Sequence, residues 1–138
     1  MTVLRPATAG DVPIILRFLQ AMAAEAGETV RSTEASLLAH GFGPNPRFRG
    51  LIAEGAAGPL GMVLYFPEYS TWRGEMGLFV QDVYVSPEGR GLGLGRQLLA
   101  GAMADADWAP QFLTLMVAHP NADARAFYEA IGFGLRDD

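Results

Sequence analysis

Cysteine is absent from this 138-residue chain, which excludes a disulfide, a thiolate metal site and a cysteine nucleophile. Histidine is scarce: His40 and His119 stand far apart in the chain and make no metal motif. No stretch reaches the ~18 consecutive apolar residues that a membrane span requires. The opening Met1-Thr2-Val3-Leu4-Arg5-Pro6 has no basic segment followed by an apolar core, so no signal peptide is visible. Positive charge is also short, with a net charge of −5, and a nucleic-acid surface needs a basic stripe. These absences predict a soluble cytoplasmic domain without metal, nucleic-acid or membrane partners. The excess of acid has two readings: it attracts a cationic small molecule, or it only keeps the protein soluble.

What is present is apolar content and glycine. Half of the residues are hydrophobic and 17 are glycines. A chain of this length makes one domain, 1–138, that buries about two-thirds of its unfolded surface. Strand and helix signals alternate. A strand over Thr2–Arg5 precedes Thr8-Ala9-Gly10-Asp11, a helix-start pattern, and Ile15, Phe18, Leu19 and Met22 then share one helical face until Gly27. A second helix is predicted over Thr33–His40, ending at Gly41. A hairpin follows over Leu51–Glu54 and Leu60–Phe66, closed by Pro67. Met76–Val85 reads as the fourth strand. The helix after it buries Leu94, Leu98, Leu99, Ala102 and Met103. A strand over Phe112–Ala118 and a helix over Ala122–Ile131 complete the order. The unit strand–glycine loop–helix–strand predicts a parallel strand pair.

The most informative segment is Val83-Tyr84-Val85-Ser86-Pro87-Glu88-Gly89-Arg90-Gly91-Leu92-Gly93-Leu94-Gly95-Arg96. Glycines let a backbone approach a ligand closely, and these open a helix, whose N-terminus favours anions. A dinucleotide fingerprint, G-x-G-x-x-G, fails on spacing: its third glycine would fall on Arg96 or on Leu98. A phosphate loop of the Gly-Lys-Ser/Thr kind fails as well. The pattern left is R-x-x-G-x-G, formed by Arg90, Gly93 and Gly95.

That pattern resembles the pyrophosphate-binding motif of the GCN5-related N-acetyltransferases. A second segment, Asn121-Ala122-Asp123-Ala124-Arg125-Ala126-Phe127-Tyr128-Glu129-Ala130-Ile131-Gly132-Phe133, is similar to the same family's closing segment. The two lie in the family's order. Gly41-Phe42-Gly43-Pro44-Asn45-Pro46 and the run from Asp82 to Glu88 look most like the diamine and thialysine acetyltransferases. The resemblance implies an α/β fold, a mixed central sheet flanked by helices, here with a shortened C-terminal strand because only residues 134–138 follow Gly132-Phe133. An open sheet edge there suits a homodimer, or a frayed sheet.

The resemblance further implies acetyl-CoA as co-substrate and a small-molecule amine as acceptor. Val83, Tyr84 and Val85 would pair with the pantetheine arm. Arg90, Gly91, Leu92, Gly93, Leu94, Gly95 and Arg96 would cradle the pyrophosphate, and Asn121 would contact the cofactor. Tyr128 would protonate the departing thiolate, for which a neutral phenol is suited; packing of a Phe127–Tyr128 pair is the alternative. Where the diamine-type enzymes carry a glutamate, this chain has Gln81, which cannot accept a proton. Asp82, the next residue, is expected on the opposite face of the strand. His119 is a base of suitable pKa or simply a strand-end residue in water. Trp72 and Tyr69 would line an acceptor pocket or cap the hairpin. A non-catalytic acyl-CoA-binding module and a protein amino-group acetyltransferase are the rival readings.

Overall fold

A computed structural model describes residues 2–116, 122–130 and 132–134; the side chains of 122–125 lie outside it. The strands β1 (Val3–Pro6), β2 (Arg49–Gly55), β3 (Gly58–Ser70), β4 (Glu75–Val85) and β5 (Leu113–Leu115) form one sheet in that spatial order. The first four pair antiparallel, and β5 runs parallel to β4, as the intervening helix requires.

Helices cover both faces. On one face, α1 (Val12–Ala26) and α2 (Glu34–Phe42) bury Ile15, Phe18 and Leu37 against Ile52, Met62, Leu64 and Tyr84. On the other, α3 (Leu94–Asp105) buries Leu98, Leu99 and Ala102 against Leu51, Val63, Leu78 and Val80. The helix α4 (Ala122–Ala130) joins that second face through Tyr128, with Phe133 just beyond it. This layered α/β architecture is the expected one.

Local chemistry explains the helix ends. Asp11 is buried and accepts two bonds of 2.8 Å from the Arg5 guanidinium and one of 2.7 Å from the Thr8 amide. That knot ties β1 to a short 3-10 turn, Ala9–Asp11, from which α1 grows. Gly27 stops α1 in a left-handed conformation, φ +71°. Thr33 caps α2 by accepting from the Ser36 amide at 3.0 Å.

Two expectations fail for identifiable reasons. Helix α2 runs through Gly41 to Phe42. That glycine is there because the Phe48 ring occupies the space a Cβ would need, not to end the helix. Pro67 does not close β3, which continues to Ser70. Pairing with β2 ends at Arg49–Tyr65, so beyond it β3 has an open edge where a missing N–H is tolerated. The strand β5 is assigned only over Leu113–Leu115. The expected remainder to Ala118, the helix end at Ile131 and most of the C-terminal stub fall outside the described residues.

Candidate active site

The glycine segment opens a helix with its backbone exposed. After β4, the Ser86 amide donates to the Leu60 carbonyl at 2.7 Å and a 3-10 turn, Pro87–Gly89, redirects the chain. Gly91 and Gly93 then adopt φ +82° and +75°, and no heavy atom lies within 4 Å of where a side chain would start. Both conditions favour glycine: a left-handed backbone and an open approach. Gly93 is the N-cap of α3, and the first helical bond runs from the Gln97 amide to the Gly93 carbonyl at 3.1 Å. The N–H groups of Leu94, Gly95 and Arg96 therefore have no partner within the helix, and the macrodipole adds to their positive character. Leu94 is buried and anchors the loop, while Leu92 and Arg96 are exposed. Gly95 has a different role: a Cβ there would come 3.3 Å from the Phe127 ring, so it makes room for α4.

Arg90 is turned back from this helix start. Its Nε donates to the Val85 carbonyl at 2.9 Å, its Nη2 bonds Glu25 of α1 at 2.8 Å, and the guanidinium sits 5.7 Å from the centre of the Tyr84 ring. Arginine side chain and glycine loop thus serve two neighbouring spaces rather than one.

The second space is a cavity of about 650 Å³. It runs along β4 from Val80 to Val85 and is bounded by Leu115 of β5, Met116 just after it, and Arg90 of the glycine segment. Among the described residues, the pairing of β4 with β5 covers Leu78–Val80. Val83 and Val85 pack their side chains toward α3, and Tyr84 packs toward α1, 5.3 Å from the Phe18 ring centre. All three also line the cavity. The end of α1 supplies Met22 and Glu25 to its wall, the turn after Gly27 supplies Glu28, and α4 supplies Tyr128.

The β3–β4 ladder slips at this point. Leu64 pairs with Asp82 and Tyr65 with Val80, so Gln81 is an extra residue, a β-bulge. The bulge interrupts simple alternation along β4, and both Gln81 and Asp82 line the cavity. Burial pushes the Asp82 carboxyl above its ordinary range. The Tyr128 hydroxyl is likewise pushed up by burial. Its ring packs edge-on against Phe127 and Phe133, with centres 5.2 and 5.6 Å away.

Other expected residues lie elsewhere. Trp72 is 99% exposed at the tip of the β3–β4 hairpin and is not part of the cavity wall. The ribbon from Phe66–Phe79 to Ser70–Glu75 runs past the last β2 partner and carries that tip beyond the sheet. Tyr69 is exposed on the same ribbon. His119 and Asn121 lie outside the described residues. What the sequence reading underweighted is the end of α1. A signal was available there: Glu25 falls in the last turn of a helix, where the dipole disfavours an acid.

The fold is an α/β domain with a glycine-rich helix start after β4 and a cavity lined by part-buried Tyr128 and the carboxylates of Glu25, Glu28 and Asp82. Residues 17–133 match the model of the Acetyltransferase (GNAT) family. The chain is 34% identical to the thialysine N-epsilon-acetyltransferase of Bos taurus, over 94% of this chain and 82% of that one. It is 37% identical to the protein of the same name from Sus scrofa, over 70% and 62% of the two chains. Among solved structures, a possible acetyltransferase from Clostridium difficile superposes with a TM-score of 0.79 at 24% identity, covering 100% of this chain and 93% of that one. The ribosomal-protein-alanine N-acetyltransferase from Brucella melitensis shares the fold with a TM-score of 0.77 at 20% identity, covering 100% and 96%. This chain belongs to the GNAT family, and it is an acetyltransferase.

Proposed function

We propose that this enzyme moves the acetyl group of acetyl-CoA to the primary amine of a small cationic acceptor, a diamine or an amino acid with a side-chain amine. The observation that carries the reading is the cavity along β4, whose wall bears Glu25, Glu28 and Asp82 and reaches Arg90 at the start of the glycine segment. The glycine segment fits a pyrophosphate: open space at Gly91 and Gly93, and unpaired amides at the start of α3. The β4 backbone at Val83–Val85 fits the amide-bearing pantetheine arm, although Arg90 already engages the Val85 carbonyl. The carboxylates fit an ammonium group. The names of the bovine and porcine relatives point to the same acceptor class.

Acetyl transfer from a thioester to an amine sets three demands. The amine must lose a proton, which at pH 7 costs ~4.6 kcal/mol for a group titrating near 10.4. The two reactants must be held together, and this contributes of order 7–11 kcal/mol. The departing thiolate needs a proton. Tyr128 meets the last demand: it lines the cavity, and burial keeps its phenol protonated beyond the ordinary range. The thioester is the acyl donor, and the enzyme's own part is placement and proton handling.

The test is thiol release from acetyl-CoA across a panel of diamines, amino acids and peptides. The chain contains no lysine, its basic residues all being arginine, so no side-chain amine of the enzyme competes with the acceptor. Turnover confined to small cationic amines is the expected result. Release with peptides alone, or with no amine, overturns the reading.

A further inference from the structure

Gln81 stands where the resemblance implies a glutamate, so the proton of the acceptor ammonium needs another destination. We propose that Asp82 is the carboxylate that takes it, brought into the cavity by the bulge at Gln81. This rests on the amine-acetylation reading above.

Strand geometry supports the assignment first. Asp82 lies opposite Leu64, and Leu64, Met62 and Tyr84 all face α1. Asp82 therefore belongs to the α1 face of the cavity, where the other acids stand. Tyr128 packs with the core on the α3 face. Proton acceptor and proton donor thus reach the same cavity from opposite faces of the sheet, as a reaction between two molecules meeting there requires.

Competition among the cavity's titratable groups supports it second. Glu25 is exposed and its carboxylate is already engaged by Arg90 at 2.8 Å. Glu28 is exposed in the turn after Gly27. Tyr84 and Tyr128 are phenols held protonated, and among the described cavity-lining residues Arg90 carries the single positive charge. Asp82 is part-buried, and among the described residues no cation pairs with its side chain and no donor bonds it. Its raised pKa brings it nearer to the range of an effective base.

The proton count closes. The ammonium N–H bond breaks and Asp82 becomes a carboxylic acid, leaving a neutral amine. The amine nitrogen bonds the acetyl carbon and the carbon–sulfur bond breaks. Tyr128 gives its proton to the sulfur and regains one from the nitrogen. Asp82 returns its proton to water, so one proton is released per turnover.

The test compares wild type with Asp82→Asn, using an alkyl diamine and an amine of pKa about 6 as acceptors. At pH 7 the variant's kcat/KM on the diamine should fall ~10²-fold, the usual share of a general base. The deficit should shrink as pH approaches 10, where solvent supplies free amine. It should also be small for the weakly basic acceptor, which is already neutral at pH 7. Acetyl-CoA affinity by calorimetry should be unchanged, which doubles as the check that the variant is folded. Asp82→Glu, or Gln81→Glu added to Asp82→Asn, should restore part of the rate. Undiminished turnover of the diamine at pH 7, or an equal loss at every pH with both acceptors, overturns the role of Asp82 alone. A wild type that binds acetyl-CoA but acetylates no amine overturns the reading beneath it, and this role with it.

Discussion

Replacing Tyr128 by phenylalanine removes one hydroxyl and nothing else. The ring contacts at 5.2 Å to Phe127 and 5.6 Å to Phe133 survive, and so does the packing on the α3 core. The hydroxyl faces the cavity and makes no hydrogen bond among the described residues, so its removal leaves the packing intact. The melting temperature of Tyr128→Phe should therefore match or exceed that of wild type. Turnover should fall ~10²-fold, about 2.7 kcal/mol of barrier, if the phenol protonates the thiolate. Acetyl-CoA affinity should hold, since the amides of the glycine loop are untouched. The pH dependence has a definite sign. A general acid works while protonated, and burial raises this pKa above 10, so the wild-type rate should lose this contribution only above pH 10. The variant should lack that alkaline limb. Thiol-release kinetics, calorimetry and a thermal melt together decide the matter. A fall in affinity equal to the fall in rate would mean that the hydroxyl binds rather than reacts, and an unchanged rate would end its role as acid.

Gly93→Asp tolerates φ +75° better than most side chains but places a carboxylate at the glycine loop. Acetyl-CoA should bind at least tenfold more weakly in calorimetry, one lost charged hydrogen bond being worth ~1.5–3 kcal/mol. Asp82→Asn should raise the melting temperature at pH 7. Burial raises the folded-state pKa of Asp82 above 3.8, so its contribution is most favourable at low pH and is lost as pH rises through the folded value. The gain should vanish in melts below pH 4. Gly61→Ala would set a Cβ 2.5 Å from the Tyr84 carbonyl oxygen, a backbone atom. It should cost ~1–3 kcal/mol in denaturant titration as β4 is pushed aside.

Much of the frame could be read from residues that act locally. Gly27 ends α1, Thr33 starts α2, and the glycine spacing after Val85 marks the start of α3 with unpaired amides. The parallel pairing of β4 and β5 followed from the helix between them. What escaped depends on partners distant in the chain. Gly41 reads as a helix stop until the Phe48 ring is seen against it. Pro67 reads as a strand end until β3 is found without a neighbour on that side. A single extra residue at Gln81 reverses which face each later side chain takes, and alternation alone cannot place it. Trp72 resembled a pocket residue because its chemistry suits an amine, but the length of the β3–β4 ribbon decided its position.

The bond between Glu25 and Arg90 joins residues at the end of α1 and at the entrance of the glycine loop. One guanidinium is thus shared between the wall proposed to face the amine and the segment proposed to face the pyrophosphate. Any anion at the loop that draws Arg90 away releases Glu25 toward the acceptor side, and a cation that captures Glu25 releases Arg90 toward the donor side. The two occupancies are therefore thermodynamically linked, and each must strengthen the other by the same factor. Because the pair is about half exposed on both sides, its worth is ~1 kcal/mol or less and the mutual gain about fivefold at most. Cooperativity of that size favours filling both subsites together without forbidding either to fill alone.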